Sequence, residues 1–131
     1  MAGNIVDAYC NSVLTDDLKT ATVYLALFTA SPGDAGALGN EVSGVDYARI
    51  EAVFGDDAAA RSIANTTIIT FAVAGAGGWG TVTHCGIMDG DTEGADNMLW
   101  WGLLAPQKVI DEGDQIKVPI GNLTVSFTAT A

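Results

Sequence analysis

The pattern of apolar and polar positions changes from helical to strand-like near residue 20. Before that point, apolar side chains recur at helical spacing, and Asn4 stands where the first turn needs a capping side chain. The recurring residues are Ile5, Val6, Tyr9, Cys10, Val13 and Leu14. The spacing therefore predicts a short helix over Asn4–Leu14, and the stretch Leu14–Lys19 then carries the chain to the first strand.

Short segments between Gly- and Asp-rich turns have the composition of strands. They are rich in Val, Ile, Thr and aromatic residues, which suit a pleated, half-buried surface. The segments are Thr22–Thr29, Tyr47–Phe54, Thr67–Phe71, Thr81–Met88, Met98–Leu104, Gln115–Val118 and Asn122–Thr128. Two irregular segments rich in Gly, Ala and Asp, Ser31–Gly44 and Gly55–Asn65, are predicted to be exposed loops or arms.

Alternation within two of these strands predicts how each one is covered. From Val23 to Phe28 both faces are apolar, so we expect this strand to be covered on both sides. From Leu123 to Phe127 apolar residues alternate with Thr and Ser, a pattern typical of a strand with one face in water.

These elements predict an all-β fold, a β-sandwich or jelly roll of about seven to eight strands with a short N-terminal helix. The sequence pattern does not choose between those two topologies. A chain of 131 residues is the size of one domain, so we predict a single unit over residues 1–131. In this unit residues 1–19 form the helix or arm, and residues 20–131 form the sandwich.

The charge of the chain narrows the classes of partner. Sixteen acidic residues stand against five Lys and Arg, for a formal net charge of −11. Binding to nucleic acid or to an anionic membrane surface requires clustered basic residues, so neither is expected. No apolar run reaches the roughly 18 residues of a membrane span. The first residues lack a secretory signal pattern, so we expect synthesis in a reducing cytoplasm.

His84 and Cys85 are the first candidates for chemistry, as a possible base and nucleophile. Neighbouring residues of a strand point to opposite faces, so the pair is not expected to share a hydrogen bond. No nucleophile-elbow or zinc-protease motif occurs in the chain. Cys10 and Cys85 follow no metal-binding spacing and are predicted to be buried free thiols. We therefore predict a protein that is not an enzyme and has no cofactor.

The acidic segment Asp89–Asn97 is the best candidate for a metal site. Asp89, Asp91 and Glu93 alternate as in the start of a calcium-binding loop, and Gly94 follows. The twelfth position, which needs a bidentate Glu, is occupied by Trp100. We therefore predict an acidic, solvated hairpin loop over Asp89–Asp96 without a strong Ca²⁺ site.

Three tryptophans are the other candidates for binding. Trp100 and Trp101 are adjacent and should face opposite sides of a strand, with at least one in the core. The other is expected to pack under an arm or against a neighbouring subunit. Trp79 begins a strand as a bulky anchor beside Gly80. A platform on which a sugar stacks is the alternative function for these side chains.

A series of segments in fixed order resembles a family of small virion proteins of tailed bacteriophages, often labelled tail fibre proteins. The segments are Val23–Pro32, Gly39–Gly44, Tyr47–Arg49, Val53–Gly55, Trp79–His84, Gly86–Asp89, Gly113–Asp114 and Leu123–Phe127. Similar small β proteins of jelly-roll type serve as capsid decoration or head-spike base proteins.

The resemblance implies a structural protein on the outer surface of a phage virion. We favour a capsid decoration protein on the head, with a tail-fibre or tail-tip component for host attachment as the alternative. The implied partners are other copies of the chain, as a homotrimer, and the major capsid protein or other virion proteins. We expect Met1–Asn4 and Ser31–Gly44 to form the capsid contacts, and a chain without Ser31–Gly44 still to fold.

Overall fold

The computed structural model describes residues 5–127. An α-helix, α1, covers Asp7–Leu14 and continues as a π-helical turn over Thr15–Thr20. The helix begins after Val6 without a side-chain cap, and the predicted cap Asn4 lies outside the described residues. That this linking stretch is itself helical was not predicted from the sequence. The helical conformation extends there because the apolar stripe continues by one more turn, with these residues buried: Cys10, Leu14 and Leu18.

The rest of the described chain contains eight strands, which pair in three antiparallel sheets and are joined by turns and loops. The strands are β1 (Val23–Phe28), β2 (Ile50–Ala52), β3 (Ser62–Ala64), β4 (Ile69–Thr70), β5 (Gly80–Met88), β6 (Met98–Ile110), β7 (Lys117–Val118) and β8 (Thr124–Ser126). One sheet has the order β2-β1-β5-β6, and the other two are the pairs β3-β8 and β4-β7. The protein is therefore β-rich with one short α-helix, as the sequence predicts.

The predicted strands differ from the observed ones mainly in length. Each of the seven predicted segments overlaps an observed strand, but Tyr47–Phe54 is regular only over Ile50–Ala52. Strand β6 runs six residues past its predicted end at Leu104. Strand β3 was missed, because it lies in Gly55–Asn65, whose composition predicts a loop.

The core joins the four-stranded sheet to the two small sheets and the helix. Leu25 and Leu27 of β1 pack there with residues from every other sheet and from the helical segment. On the opposite face of β1, Ala26 and Phe28 form a second buried cluster with Met88. The prediction that β1 is covered on both faces is thus confirmed.

Strand β8 confirms the prediction of a strand with one wet face. Val125 is buried, while Thr124 and Ser126 on either side of it are exposed. Strand β8 pairs with β3 through Ile63, which lies opposite Val125 and is also buried. Within residues 5–127, no helix is long and apolar enough to cross a membrane.

The segment Ser31–Gly44 is only in part the exposed arm that its composition predicts. Its first part is a run of turns, but Glu41 and Val42 at its end are buried, with 8 % and 2 % of their surface exposed. Glu41 bridges to Phe28 at the end of β1, and the backbone N–H of Val42 donates to the carbonyl of Leu27. The segment is therefore anchored in the folded protein.

Candidate interaction surface

A buried ion pair joins Ser31–Gly44 to the chain entering β2. Arg49 donates from Nε to Oε2 of Glu41 over 2.8 Å and from Nη2 to Oε1 over 2.7 Å. The side chains of Arg49 and Glu41 are only 0 % and 2 % exposed. This two-pronged geometry is the strongest form of a carboxylate–guanidinium contact and leaves the pair no freedom to move apart.

Neighbouring groups complete the hydrogen bonding of the Glu41 carboxylate. The hydroxyl of Tyr47 donates to Oε2 over 2.8 Å and accepts from the Leu27 N–H over 3.0 Å, and the Gly94 N–H donates to Oε1 over 2.9 Å. Burial by itself raises the pKa of Glu41, but the bonds from Arg49, Gly94 and Tyr47 outweigh it, so the pKa is lowered. Burial raises the pKa of Tyr47, which stays protonated as a donor.

The acidic loop Asp89–Asn97 closes over the same guanidinium. Arg49 donates to the carbonyls of Gly90 and Ala95 over 2.9 and 3.0 Å, and to Oδ2 of Asp96 over 3.3 Å. A Cβ on Gly90 would lie 2.4 Å from the Asp96 carboxylate, so only glycine lets the loop fold back this closely. The prediction of a simply solvated loop was therefore incomplete, because its two ends are tied to a buried cation.

Two of the four acids in this loop, Asp89 and Asp96, are already engaged within the fold. Asp89 accepts from the backbone and side-chain amides of Asn97 over 2.8 and 3.0 Å, which lowers its pKa. Asp91 and Glu93 are exposed. Among the described residues, no three His, Cys, Asp or Glu side chains gather to hold a metal ion. In this loop the guanidinium of Arg49 binds the carbonyls of Gly90 and Ala95 and the carboxylate of Asp96, where a cation would otherwise bind.

Little in the sequence indicates this cluster. Glu41 and Asp96 are separated by 55 positions, and in the sequence they resemble ordinary acidic residues of a protein surface. The available signal was Arg49, one of five basic residues, which stands between a tyrosine and an apolar strand. A lone basic residue that enters a buried strand needs an acidic partner.

His84 and Cys85 lie on opposite faces of β5, as predicted. The His84 ring is 5.9 Å from that of Trp101, and its Nδ1 is 2.8 Å from the hydroxyl of Thr83. Cys85 packs against the main core, and burial raises the pKa of its thiol. Cys10 is a buried free thiol, as predicted, and Cys85 is free but only partly buried. The structure does not bring a base to either sulfur among the described residues.

The three tryptophans occupy different surroundings. Trp79 is in the core, edge-on to Tyr47, and its Nε1 donates to the Val45 carbonyl over 2.9 Å. Trp100 packs against the main core and lies edge-on to Phe127. Trp101, on the other face of β6, is 39 % exposed. The prediction that Trp100 and Trp101 face opposite sides is confirmed.

Strand β6 presents an apolar outer face at the end of the four-stranded sheet. Leu99, Trp101 and Leu103 alternate along it and are 39 %, 39 % and 69 % exposed. The Trp101 Nε1 donates to Asp34 of the segment Ser31–Gly44 over 3.1 Å, beside a shallow cleft of about 280 Å³. Trp101 thus lies next to an arm, one of the two positions predicted for the second tryptophan.

A larger cleft of about 410 Å³ lies between β6 and β8, and we call it the seam. Its rims are residues Trp100–Ala105 and Asn122–Ser126. Its floor is formed by apolar residues of the sheets, including Leu25, Leu27 and Ile87. Of the described residues that line the seam, none is charged. Sequence patterns did not reveal the seam, because it depends on how distant strands approach each other.

A family model described as Podophage GP4 fiber I protein gp80 matches residues 1–126. A search of curated proteins finds no match to the chain.

Proposed function

The chain belongs to the Podophage GP4 fiber I protein gp80 family, and we propose that it is a non-enzymatic fibre component of a tailed bacteriophage. A structural role in a phage virion follows from membership of the family. The observation that carries the finer proposal is the extent of the match, which includes the helix, all eight strands and both loops described above. The family's description thus applies to the chain as a unit.

The internal construction of the protein supports a role as a rigid building block. Loops that would be mobile in many β proteins are fixed here, since Arg49 joins Glu41 of one loop to the backbone of another. The described residues contain no buried side-chain nitrogen or oxygen without a hydrogen-bond partner. Fully satisfied buried networks hold one conformation, which suits a part that must fit its neighbours in an assembly.

The arrangement of the potentially reactive groups supports a protein without catalysis. Cys85 and His84 point to opposite faces of β5, and Asp89 and Asp96 of the acidic loop are bonded within the fold. A nucleophile requires a base within hydrogen-bond reach. We therefore assign the exposed features of the chain to binding other virion proteins and not to chemistry.

The family description favours the fibre alternative over the capsid decoration protein that the sequence led us to prefer. The acidic surface agrees with either position on the outside of a virion, since a net charge of −11 opposes contact with packaged DNA. The proposed contact of Ser31–Gly44 with a capsid loses support, because part of this segment is committed to the core. The other predicted contact, Met1–Asn4, lies outside the described residues.

The outer face of β6 supports self-association into a homo-oligomer, for which we propose a trimer. Leu99, Trp101 and Leu103 form an apolar row, and residues 98–107 contain no charged side chain. Contact between copies through this face brings few like charges together despite the acidity of the whole chain. Uncharged apolar patches of this kind are common at the centres of subunit interfaces.

Removal of the chain from virions tests the fibre proposal against decoration. Phage made without the gene should assemble intact, DNA-filled heads, lack one set of fibres and adsorb to host cells more slowly. Complementation with the wild-type gene should restore fibres and adsorption together. Normal fibres on heads that break more easily on heating would contradict the fibre proposal and favour decoration.

A further inference from the structure

The seam has the construction of a gap between two strands. Among the described residues, β6 pairs with β5 alone and β8 with β3 alone, so each has one unpaired edge. Side chains of successive strand residues point to opposite faces, yet consecutive residues of both strands line the seam. Consecutive lining residues indicate that the strands turn their edges toward it. Two free edges therefore border an apolar floor.

Gly102, in the middle of the β6 rim, is a second and independent observation. A Cβ on Gly102 would meet no heavy atom within 4 Å, and its φ is not in the left-handed region. On β5, by contrast, a Cβ on Gly86 would lie 3.1 Å from atoms of Phe28 and Met98. Packing explains glycine at 86, but nothing in the described structure explains it at 102. Glycine inside a strand weakens it and often marks the close approach of another backbone.

We propose that the seam receives an extended segment of another protein of the virion, which adds as a strand to the edge of β6. Main-chain hydrogen bonds to the strand edge would supply affinity, and side chains at alternate positions would contact the floor at Leu25, Leu27 and Ile87. A strand of six residues, the length of the β6 rim, extends for about 20 Å. The inference rests on the proposed function for the source of this donor segment.

The seam and the overall charge define the chemistry of the donor. The lining is uncharged, so the residues that face the floor should be aliphatic. The chain carries a net charge of −11, so the flanks of the donor should be neutral or basic. A second copy suits the seam less well than a basic donor, because it brings a further net charge of −11, and within residues 5–127 each alternately apolar strand is already paired along at least one edge.

A designed peptide provides the probe for the purified full chain. It is a nonapeptide that begins and ends with Lys and alternates Thr with Val between them. One control peptide has the same composition with the valines adjacent, and a second has N-methyl groups on the valines. The alternating peptide should bind saturably by fluorescence anisotropy and slow amide hydrogen exchange in residues 100–105. Both control peptides should bind far more weakly.

Gly102→Val is the decisive variant of the protein. Because the space beside Gly102 is open, the new side chain fits the folded chain, and the melting temperature should rise by about 2–4 °C. The same side chain obstructs the approach of a donor backbone, so peptide binding should weaken by about tenfold or more. Gly39→Val, also without neighbours within 4 Å, is the matched control and should keep full binding. Thr124→Trp, at the exposed β8 rim, tests the obstruction again if Gly102→Val fails to fold.

Three results would overturn the proposal. Equal binding of the alternating and N-methylated peptides would mean that no strand is added. Full binding by Gly102→Val or by Thr124→Trp would place the peptide elsewhere. In the absence of peptide, amide hydrogen exchange in residues 100–105 could slow as the protein concentration is raised. That result would mean that a second copy fills the seam. None of these results depends on where the chain lies on the virion, so failure here is distinct from failure of the fibre proposal.

Discussion

Glu41 and Arg49 show how single residues in this protein hold two loops together. An ion pair loses much of its hydration on burial, and it is tolerated only when each charge has excellent partners. Here Glu41 accepts from Arg49, Tyr47 and the Gly94 N–H, while Arg49 also reaches loop carbonyls. The pair therefore fixes geometry more than it adds net stability. Removing one partner is costly, because the other charge remains buried.

Glu41→Gln should strongly destabilise the protein. The substitution keeps the size of the side chain but leaves the buried guanidinium of Arg49 without a counter-charge, at a cost of about 3–5 kcal/mol. Urea unfolding followed by tryptophan fluorescence measures the loss in the free energy of unfolding. Glu112→Gln, at an exposed turn, is the matched control and should change stability little. Equal effects of the two substitutions would mean that the ion pair is unimportant.

The lowered pKa of Glu41 predicts how this loss depends on pH. A carboxyl whose pKa is lower in the folded state stabilises the protein above its ordinary pKa of 4.5. That contribution is lost as the pH falls below 4.5 through the lowered value. The difference in unfolding free energy between wild type and Glu41→Gln should thus be constant near neutral pH and shrink in acid. A difference that grows as the pH falls below 4.5 would contradict the assignment.

Among the larger elements, the segment Ser31–Gly44 departs most from its sequence-based prediction. We expected an arm that could be replaced by a short Gly/Ser turn without loss of folding. The structure predicts the opposite, because the replacement removes Glu41 and the buried Val42 together. Circular dichroism and thermal melting should show no cooperative unfolding in that variant. Asp34→Ala, which removes only the exposed bond to Trp101, should melt nearly as wild type does.

Strands with a clear alternation could be predicted from sequence, and those defined by tertiary pairing could not. β1 and β8 were identified because each has one strong pattern of apolar positions. β3 is three residues with a single buried side chain, Ile63, so its pairing with β8 decides its conformation. The C-terminal part of β6 was missed because it contains Pro106, a residue that usually interrupts a strand. Its pairing with β5 is also irregular there, since residues 104–107 bulge opposite Thr83.

The candidate sites also differ in how far they can be predicted from the sequence. The opposite faces of His84 and Cys85, and of Trp100 and Trp101, follow from the period of two in any strand. The ion pair and the seam depend on contacts between residues far apart in the chain, for which one sequence contains no direct signal. Gly102 was visible as a glycine within a predicted strand, but its meaning required the open space beside it.

At the scale of the whole molecule, acidity and low charge density act together. Only 16 % of residues are charged, so much of the surface is uncharged, although the net charge is −11. Acidic exteriors repel one another and keep particles dispersed, while the uncharged regions remain available for contacts. The outer face of β6 and the seam are two such regions, on the same edge strand.

Self-association should be measurable on the purified protein. Light scattering should give a mass of three times the 13.4 kDa monomer at high concentration. Leu99→Lys places a charge in the apolar outer face of β6 and should shift the equilibrium toward the monomer. Ile68→Lys, at a residue that is also exposed but lies outside β6, should leave the mass unchanged. A wild-type monomer at every concentration would contradict the proposed trimer.

The position of the chain on the virion tests the central claim most directly. Fab fragments raised against the folded protein can be bound to intact virions and located by cryo-electron microscopy, with virions made without the gene as the control. The account predicts Fab density on fibres attached to the tail and none on the control particles. Fab density spread over the lattice of the head, with unlabelled fibres, would contradict it.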